Sequence, residues 1–296
     1  MEHTYRVFGP TWDCERFRGF RPVHVPSPGR DGVPAHGLGR SGSTWQHRAT
    51  MCGRFALAVA PSEVRELFDA ESVPASPDPA LTDRPRYNVA PTQPVLVARR
   101  PGPGSAMELA WATWSFLPFD RKVLINARAE TVFERSSFGR AARERRCLVP
   151  ASGFFEWKAE GKTKQPHFIA PAEGGLWTFG GITQTWKAAD GSVHEGLAIL
   201  TCAPNPKVRT LHDRMPVILP PSAWRVWTDP SCRDPSVLRP WLSPLPQDQV
   251  QVRPVSTRVN RVANDDPSIL DPPRSSTEQS GPRSASKTPR QLDFDW

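Results

Sequence analysis

The chain has 296 residues, 38 basic against 30 acidic side chains for a formal net charge of +8, and 34 prolines. That length accommodates one or two domains with a full hydrophobic core, and the positive balance favours a polyanionic partner such as nucleic acid. No window reaches the about 18 consecutive apolar residues of a membrane span, no apolar secretory core follows Met1, and the five scattered cysteines form no C-x-x-C pair; they fit a reducing cytoplasm rather than a disulfide framework.

Composition divides the chain into three. Residues 1–50 are rich in Gly, Pro, Arg and His, carry four of the seven histidines and show no apolar periodicity, so they read as an unstructured leader outside the mature protein. Residues 51–270 read as one compact unit. Within it Ser62 is expected to cap a short helix whose Val64, Leu67 and Phe68 follow i, i+3, i+4 spacing. A second, basic helix is expected over 137–146. The runs 94–99, 154–158, 167–170, 176–184, 197–202 and 215–219 read as strands. Short strands separated by Pro/Gly turns, with few helices between them, predict an α+β fold: a single domain on a curled or barrel-like, mostly antiparallel sheet with a few short helices. Residues 271–296 form a polar tail that cannot bury enough apolar surface to fold.

The opening of the compact unit, Met51-Cys52-Gly53-Arg54-Phe55-Ala56-Leu57, makes chemical sense if Cys52 is the first residue of the working protein. A cysteine with a free amine is a two-headed nucleophile. Amine and thiol both have unperturbed pKa values of about 8, so they can attack an aldehyde as a pair and close a thiazolidine ring. An internal cysteine has only an amide nitrogen and cannot.

Four further segments are unusually polar for their surroundings. Arg86-Tyr87-Asn88-Val89-Ala90-Pro91-Thr92 reads first as a turn before a strand. In Leu124-Ile125-Asn126-Ala127-Arg128-Ala129-Glu130, the side chains of Asn126, Arg128 and Glu130 share one face of an extended segment, which either lines a pocket or faces solvent. Glu156, in Gly153-Phe154-Phe155-Glu156-Trp157, is set among aromatics. Desolvation there suits it to general-acid work; the other reading turns it to water on an amphipathic strand. His212 and Arg214, in Leu211-His212-Asp213-Arg214-Met215-Pro216, precede a strand that reads as buried, in a structural or a catalytic role.

Taken in order, MCGRFAL, RYNVAPTQ, LINARAET, RCLVPASGFFEWK, KQPHFI, LHDRMPVIL and PVSTRVN, spanning residues 51–260, resemble the SOS-response-associated peptidase family, also called abasic-site processing proteins. The resemblance implies a DNA-damage protein whose cysteine, exposed by removal of the initiator Met, crosslinks to the ring-opened sugar of an abasic site in single-stranded DNA. It implies catalytic roles for Cys52 as double nucleophile, Asn126 as orienting amide, Glu156 as proton-transfer group and His212 as proton donor to the sugar oxygen. DNA contacts are implied for Arg54, Asn88, Pro91, Arg128 and Arg214, the arginines holding phosphates. Where the family shows W-G-L-x-P-x-W, this chain has Trp114-Ser115-Phe116-Leu117-Pro118-Phe119-Asp120, which leaves Phe119 as the aromatic beside the lesion. The expectation is a cytoplasmic monomer needing neither metal nor organic cofactor and not bound to membrane. Two other readings are a self-processing peptidase that cuts before Cys52, with lyase activity as an accompaniment, and a non-catalytic single-strand binder.

Overall fold

The computed structural model describes residues 53–116, 124–187 and 191–273. The expectations for Cys52 and Phe119, for the leader and for the tail lie outside the described residues. In chain order the strands are β1 (Phe55–Leu57), β2 (Arg86–Val89), β3 (Pro94–Arg99), β4 (Glu108–Thr113), β5 (Asn126–Arg128), β6 (Arg146–Ala151), β7 (Gly153–Glu160), β8 (Thr163–Pro171), β9 (Trp177–Lys187), β10 (Val193–Cys202), β11 (Met215–Pro216) and β12 (Val250–Pro254). The helices are α1 (Pro61–Leu67), α2 (Gly139–Glu144), α3 (Pro206–Arg209), α4 (Pro221–Thr228) and α5 (Pro235–Leu238). This is the α+β architecture that the short strands and turn residues predicted.

Two sheets share one core. Strands β10, β4, β3, β6 and β9 follow one another edge to edge, and β9 pairs back onto β10, so this sheet closes on itself as a barrel. All of these pairings are antiparallel except β10 with β4, where Gly196 meets Thr113. A Cβ at Gly196 would lie 2.4 Å from the Ser115 carbonyl oxygen, so closure at this point requires glycine. β5 then continues along the same edge of β10, parallel to it, with Asn126 to Arg128 opposite Ile199 to Thr201.

The second sheet is antiparallel, in the order β12-β8-β7-β1-β2. Alternation along β7 and β1 gives it two apolar faces. Phe55 and Phe154 pack against the barrel, where their rings meet Trp114 and Phe179 at 5.3–6.2 Å between centroids. Ala56, Phe155 and Phe168 face the other way and form a separate small core with Val255, Val259 and Ile269. Residues 255–271 thus act as a strap across the outer face. Its ends are tied by Ser256 N–H to the Asp271 carbonyl (2.8 Å) and by the Arg253 guanidinium to the Leu270 carbonyl.

Local details differ from the sequence reading. α1 begins at Pro61 with Ser62 already inside it, and its N-terminal amide at Ala60 is satisfied by the Glu63 carboxylate at 2.8 Å; a backward-reaching carboxylate replaces the expected serine cap. The RYNV segment is strand β2, with the turn confined to residues 90–93. Among the described residues no helix is long and apolar enough to cross a membrane.

Candidate active site at the rim between the sheets

The site begins where the chain enters β1. Phe55 lies opposite Phe154, and the Arg54 carbonyl accepts from Phe155 N–H at 2.9 Å. Carried one residue further, this antiparallel register brings Gly53, the residue bonded to Cys52, level with Glu156. Glu156 alternates with Phe155, so it shares the barrel-facing side of β7 with Phe154. Only 4% of its surface is exposed. The alternative of a glutamate turned to water is excluded.

The barrel supplies the opposite wall. A Cβ built on Gly53 would touch the Ile125 Cδ1 at 4.0 Å. The Ile125 carbonyl is held at 2.9 Å by the Trp114 indole N–H and at 3.0 Å by Ile199 N–H. Asn126 follows as the first residue of β5 and is half-buried; Arg128, at the end of that strand, is exposed. Pro91 sits in the 90–93 turn, where Thr92 adopts a left-handed φ of 71° and its N–H bonds the Trp114 carbonyl at 2.9 Å. Pro91, Trp114, Ile125 and Asn126 therefore belong to one connected rim.

On the far side of β5 the predicted His212 and Arg214 come together with Glu130. Arg214 grips the Glu130 carboxylate with both terminal nitrogens, at 2.7 and 2.8 Å, and donates to the Thr201 carbonyl at 2.5 Å. The Arg214 guanidinium holds the Glu130 carboxyl below the usual carboxylate range; burial opposes the charge on Arg214, but Glu130 outweighs it and its pKa rises. Arg214, expected to hold a phosphate, is thus engaged internally by a carboxylate whose two oxygens match its fork. His212 Nδ1 lies 3.1 Å from Arg214 N–H and 3.0 Å from Asp213 Oδ1. The two contacts call for different states of Nδ1: a bare Nδ1 accepts from Arg214 N–H and leaves the ring proton on Nε2, whereas an Nδ1–H donates to Asp213.

Arg54 faces the strap. One terminal nitrogen donates to Asn88 Oδ1 and to the Val259 carbonyl, both at 2.7 Å, and its guanidinium lies 5.8 Å from the centre of the Trp157 ring. Burial lowers its pKa, and its Nε is buried without a hydrogen-bond partner among the described residues. Asn88 itself is fully buried. Its amide nitrogen serves the carbonyls of Val259, Arg261 and Asn264 at 3.3, 3.0 and 2.6 Å. The expected DNA contact by Asn88 is therefore corrected: the amide is spent inside the protein, pinning the strap and orienting Arg54.

Several participants escaped the sequence reading. Asp265 accepts from Tyr87 N–H (2.5 Å), Asn88 N–H (2.9 Å) and Arg86 Nε (2.6 Å), which ties the strap to β2. Trp157 donates to Asn260 Oδ1 at 2.8 Å beside Arg54. Trp157 and Asn260 stand in motifs that the sequence displayed, whereas Asp265 stands in a loop of ordinary polar composition.

The family model described as SOS response associated peptidase (SRAP) matches residues 51–262, which takes in both walls of this rim. The chain belongs to the SRAP family. Similar proteins include one named abasic site processing protein YoqW of Bacillus subtilis, 34% identical over 75% of this chain and 99% of its own. One named abasic site processing protein YedK of Escherichia coli is 34% identical over 75% of this chain and 100% of its own. Among solved structures, a protein from Bacteroides thetaiotaomicron aligns with a TM-score of 0.65 at 24% identity, covering 75% of this chain and 99% of that one. That likeness is one of fold.

Proposed function

We propose that this SRAP protein processes abasic sites by forming a covalent thiazolidine crosslink between Cys52, as the N-terminal residue, and the ring-opened sugar in single-stranded DNA. The relatives named for abasic-site processing support the substrate class. The observation that carries the chemistry is the β1–β7 register, which brings the residue bonded to Cys52 level with a carboxylate only 4% exposed. The amine attacks the C1′ aldehyde, water leaves to give an imine, and the thiol adds to close the ring. Glu156 moves protons during addition and dehydration, and Asn126 orients the nucleophile or sugar from the facing wall. His212 with a proton on Nε2 is suited to protonate the sugar oxygen and to assist reversal. Arg54, which has no carboxylate partner among the described residues, and the exposed Arg128 provide cationic contacts for flanking phosphates. An abasic sugar offers no base edge to read, so aldehyde chemistry supplies the selectivity that base contacts supply elsewhere.

The experiment is a denaturing gel of protein beginning at Cys52 with an abasic single-stranded oligonucleotide. A heat-stable adduct is expected. Cys52→Ser keeps the amine, so it should give only a transient imine that borohydride traps; a heat-stable adduct at unchanged yield from this variant would refute the thiazolidine.

A further inference from the structure

One residue of the sequence motifs has no role in this scheme. His167, in Lys164-Gln165-Pro166-His167-Phe168-Ile169, lies directly opposite Glu156 in the β7–β8 pairing. Directly opposed residues of an antiparallel pair present their side chains on the same face with Cβ atoms about 4.5–5.5 Å apart. His167 therefore stands beside Glu156 on the barrel-facing side of the sheet. It is half-buried where Glu156 is buried. Its Nδ1 lies 3.1 Å from the Gln165 carbonyl, which can only accept. That contact places the ring proton on Nδ1 and leaves Nε2 as the basic atom. The other charges on this face of β7 are Lys158 and Glu160, two and four residues from Glu156 and both exposed. On the other edge of β8, β12 presents Pro254 opposite His167, and the neighbouring Arg253 is turned to the Phe168 ring at 5.4 Å.

The crosslinking scheme has a proton to dispose of. An N-terminal amine has an unperturbed pKa of about 7.7–8.0, so near pH 7 it starts mainly as ammonium. Ammonium, thiol and aldehyde combine to thiazolidine, one water and one proton; no electron transfer is involved. The ammonium N–H bond breaks onto the Glu156 carboxylate and frees the lone pair that forms the C–N bond. The later transfers of dehydration and ring closure cancel on Glu156, which leaves that first proton on a carboxyl with almost no contact with water.

We propose that His167 is the outlet for this proton, a positioning residue that acts through Glu156. Nε2 takes the proton from the Glu156 carboxyl, and the resulting imidazolium passes it to solvent from its exposed side. The proposal rests on the crosslinking reading and makes a distinct demand. The outlet is needed only while the amine starts protonated, so His167 matters below about pH 8 and becomes dispensable above about pH 9.

The test compares the unchanged protein with His167→Ala, His167→Asn and Glu156→Gln. Adduct formation on an abasic oligonucleotide is timed from pH 6 to pH 9.5, with binding of the intact oligonucleotide measured alongside. His167→Asn keeps a donor for the Gln165 carbonyl but has no basic atom, so it carries the test if the alanine variant folds poorly. Both His167 variants should slow crosslinking on the order of tenfold at pH 6.5, bind intact DNA normally and converge on the unchanged protein at pH 9.5. Added imidazole should restore His167→Ala at pH 6.5 and leave Glu156→Gln slow. Unchanged rates at pH 6.5, or a loss constant with pH and insensitive to imidazole, overturns the outlet alone. Absence of any adduct with the unchanged protein overturns it together with the crosslinking reading.

Discussion

Asn88 concentrates on one amide what the sequence suggested was a surface contact. Four hydrogen bonds converge on it, three to strap carbonyls and one from Arg54. Asn88→Ala would strand these groups in a desolvated interior, at a cost of about 2–3 kcal/mol, seen as a lower urea midpoint; an unchanged midpoint would mean that water replaces the amide. Arg214 presents the opposite balance, since its partner Glu130 leaves about half of its side chain in solvent. The pair is screened and contributes less than about 1 kcal/mol. Its pH dependence follows from the depressed Glu130 carboxyl: the contribution is present above the ordinary carboxylate pKa and disappears as pH falls through the lower folded value. Glu130→Gln should therefore melt slightly below the unchanged protein at pH 7, and the two melting curves should merge near pH 2. A gap that persists at pH 2 would assign the loss to packing instead of charge.

The strands legible in the sequence were those with an apolar run framed by turn residues. β3 matches its expected bounds, β7, β8 and β10 each contain the predicted run and extend past it, β9 starts one residue late at Trp177 and runs on to Lys187, and the run expected over 215–219 is a strand only at Met215–Pro216. In β7 and β8, extension occurs where hairpin pairing continues past the expected runs into Glu160 and Thr163 to Gln165, whose polar side chains hide a strand from a hydrophobicity pattern. β6 was missed for another reason. Every residue from Arg146 to Ala151 is buried, so no alternation marks it, and its leading arginine reads as the end of a basic helix. That arginine is an internal pin: it donates to the carbonyls of Ala142, Arg143, Trp227, Asp229 and Cys232 at 2.5–2.9 Å and stacks over the Trp227 ring. It joins α2, α4 and the loop after α4 to the start of β6. Methionine fills similar volume without a donor, so Arg146→Met should cost about 3 kcal/mol or more and lower the thermal midpoint by several degrees. Retained stability would show that the five carbonyls relax onto one another or onto water. The candidate site was legible in the same uneven way. Glu156, Asn126 and Arg54 were recognisable from local motifs, whereas the inward role of Asn88 and the part played by Asp265 depend on a strap about 170 residues away in the chain.

At the scale of the whole molecule, the chemistry and the 296-residue chain make opposing demands. The proposed reaction needs the nitrogen of Cys52 as a free amine, yet in a chain starting at Met1 that nitrogen is an amide in Thr50-Met51-Cys52. The family model begins its match at residue 51, and Met51 is placed to serve as an initiator whose removal exposes Cys52, a residue small enough to permit that trimming. The working chain proposed here therefore begins at Cys52. Mass analysis of the N-terminal peptide of protein from its native source should show Cys52 as its first residue. Protein expressed from Met1 should form no stable adduct until the bond before Cys52 is cut, and N-terminal sequencing of any active fraction should then read Cys-Gly-Arg-Phe. Release that depends on Glu156 or His212 would make the site responsible for its own processing, whereas release insensitive to both variants would assign the cut to another protease or to a second translation start. Full crosslinking by a chain that retains residues 1–50 would remove the amine from the mechanism and leave the thiol of Cys52 as the one nucleophile.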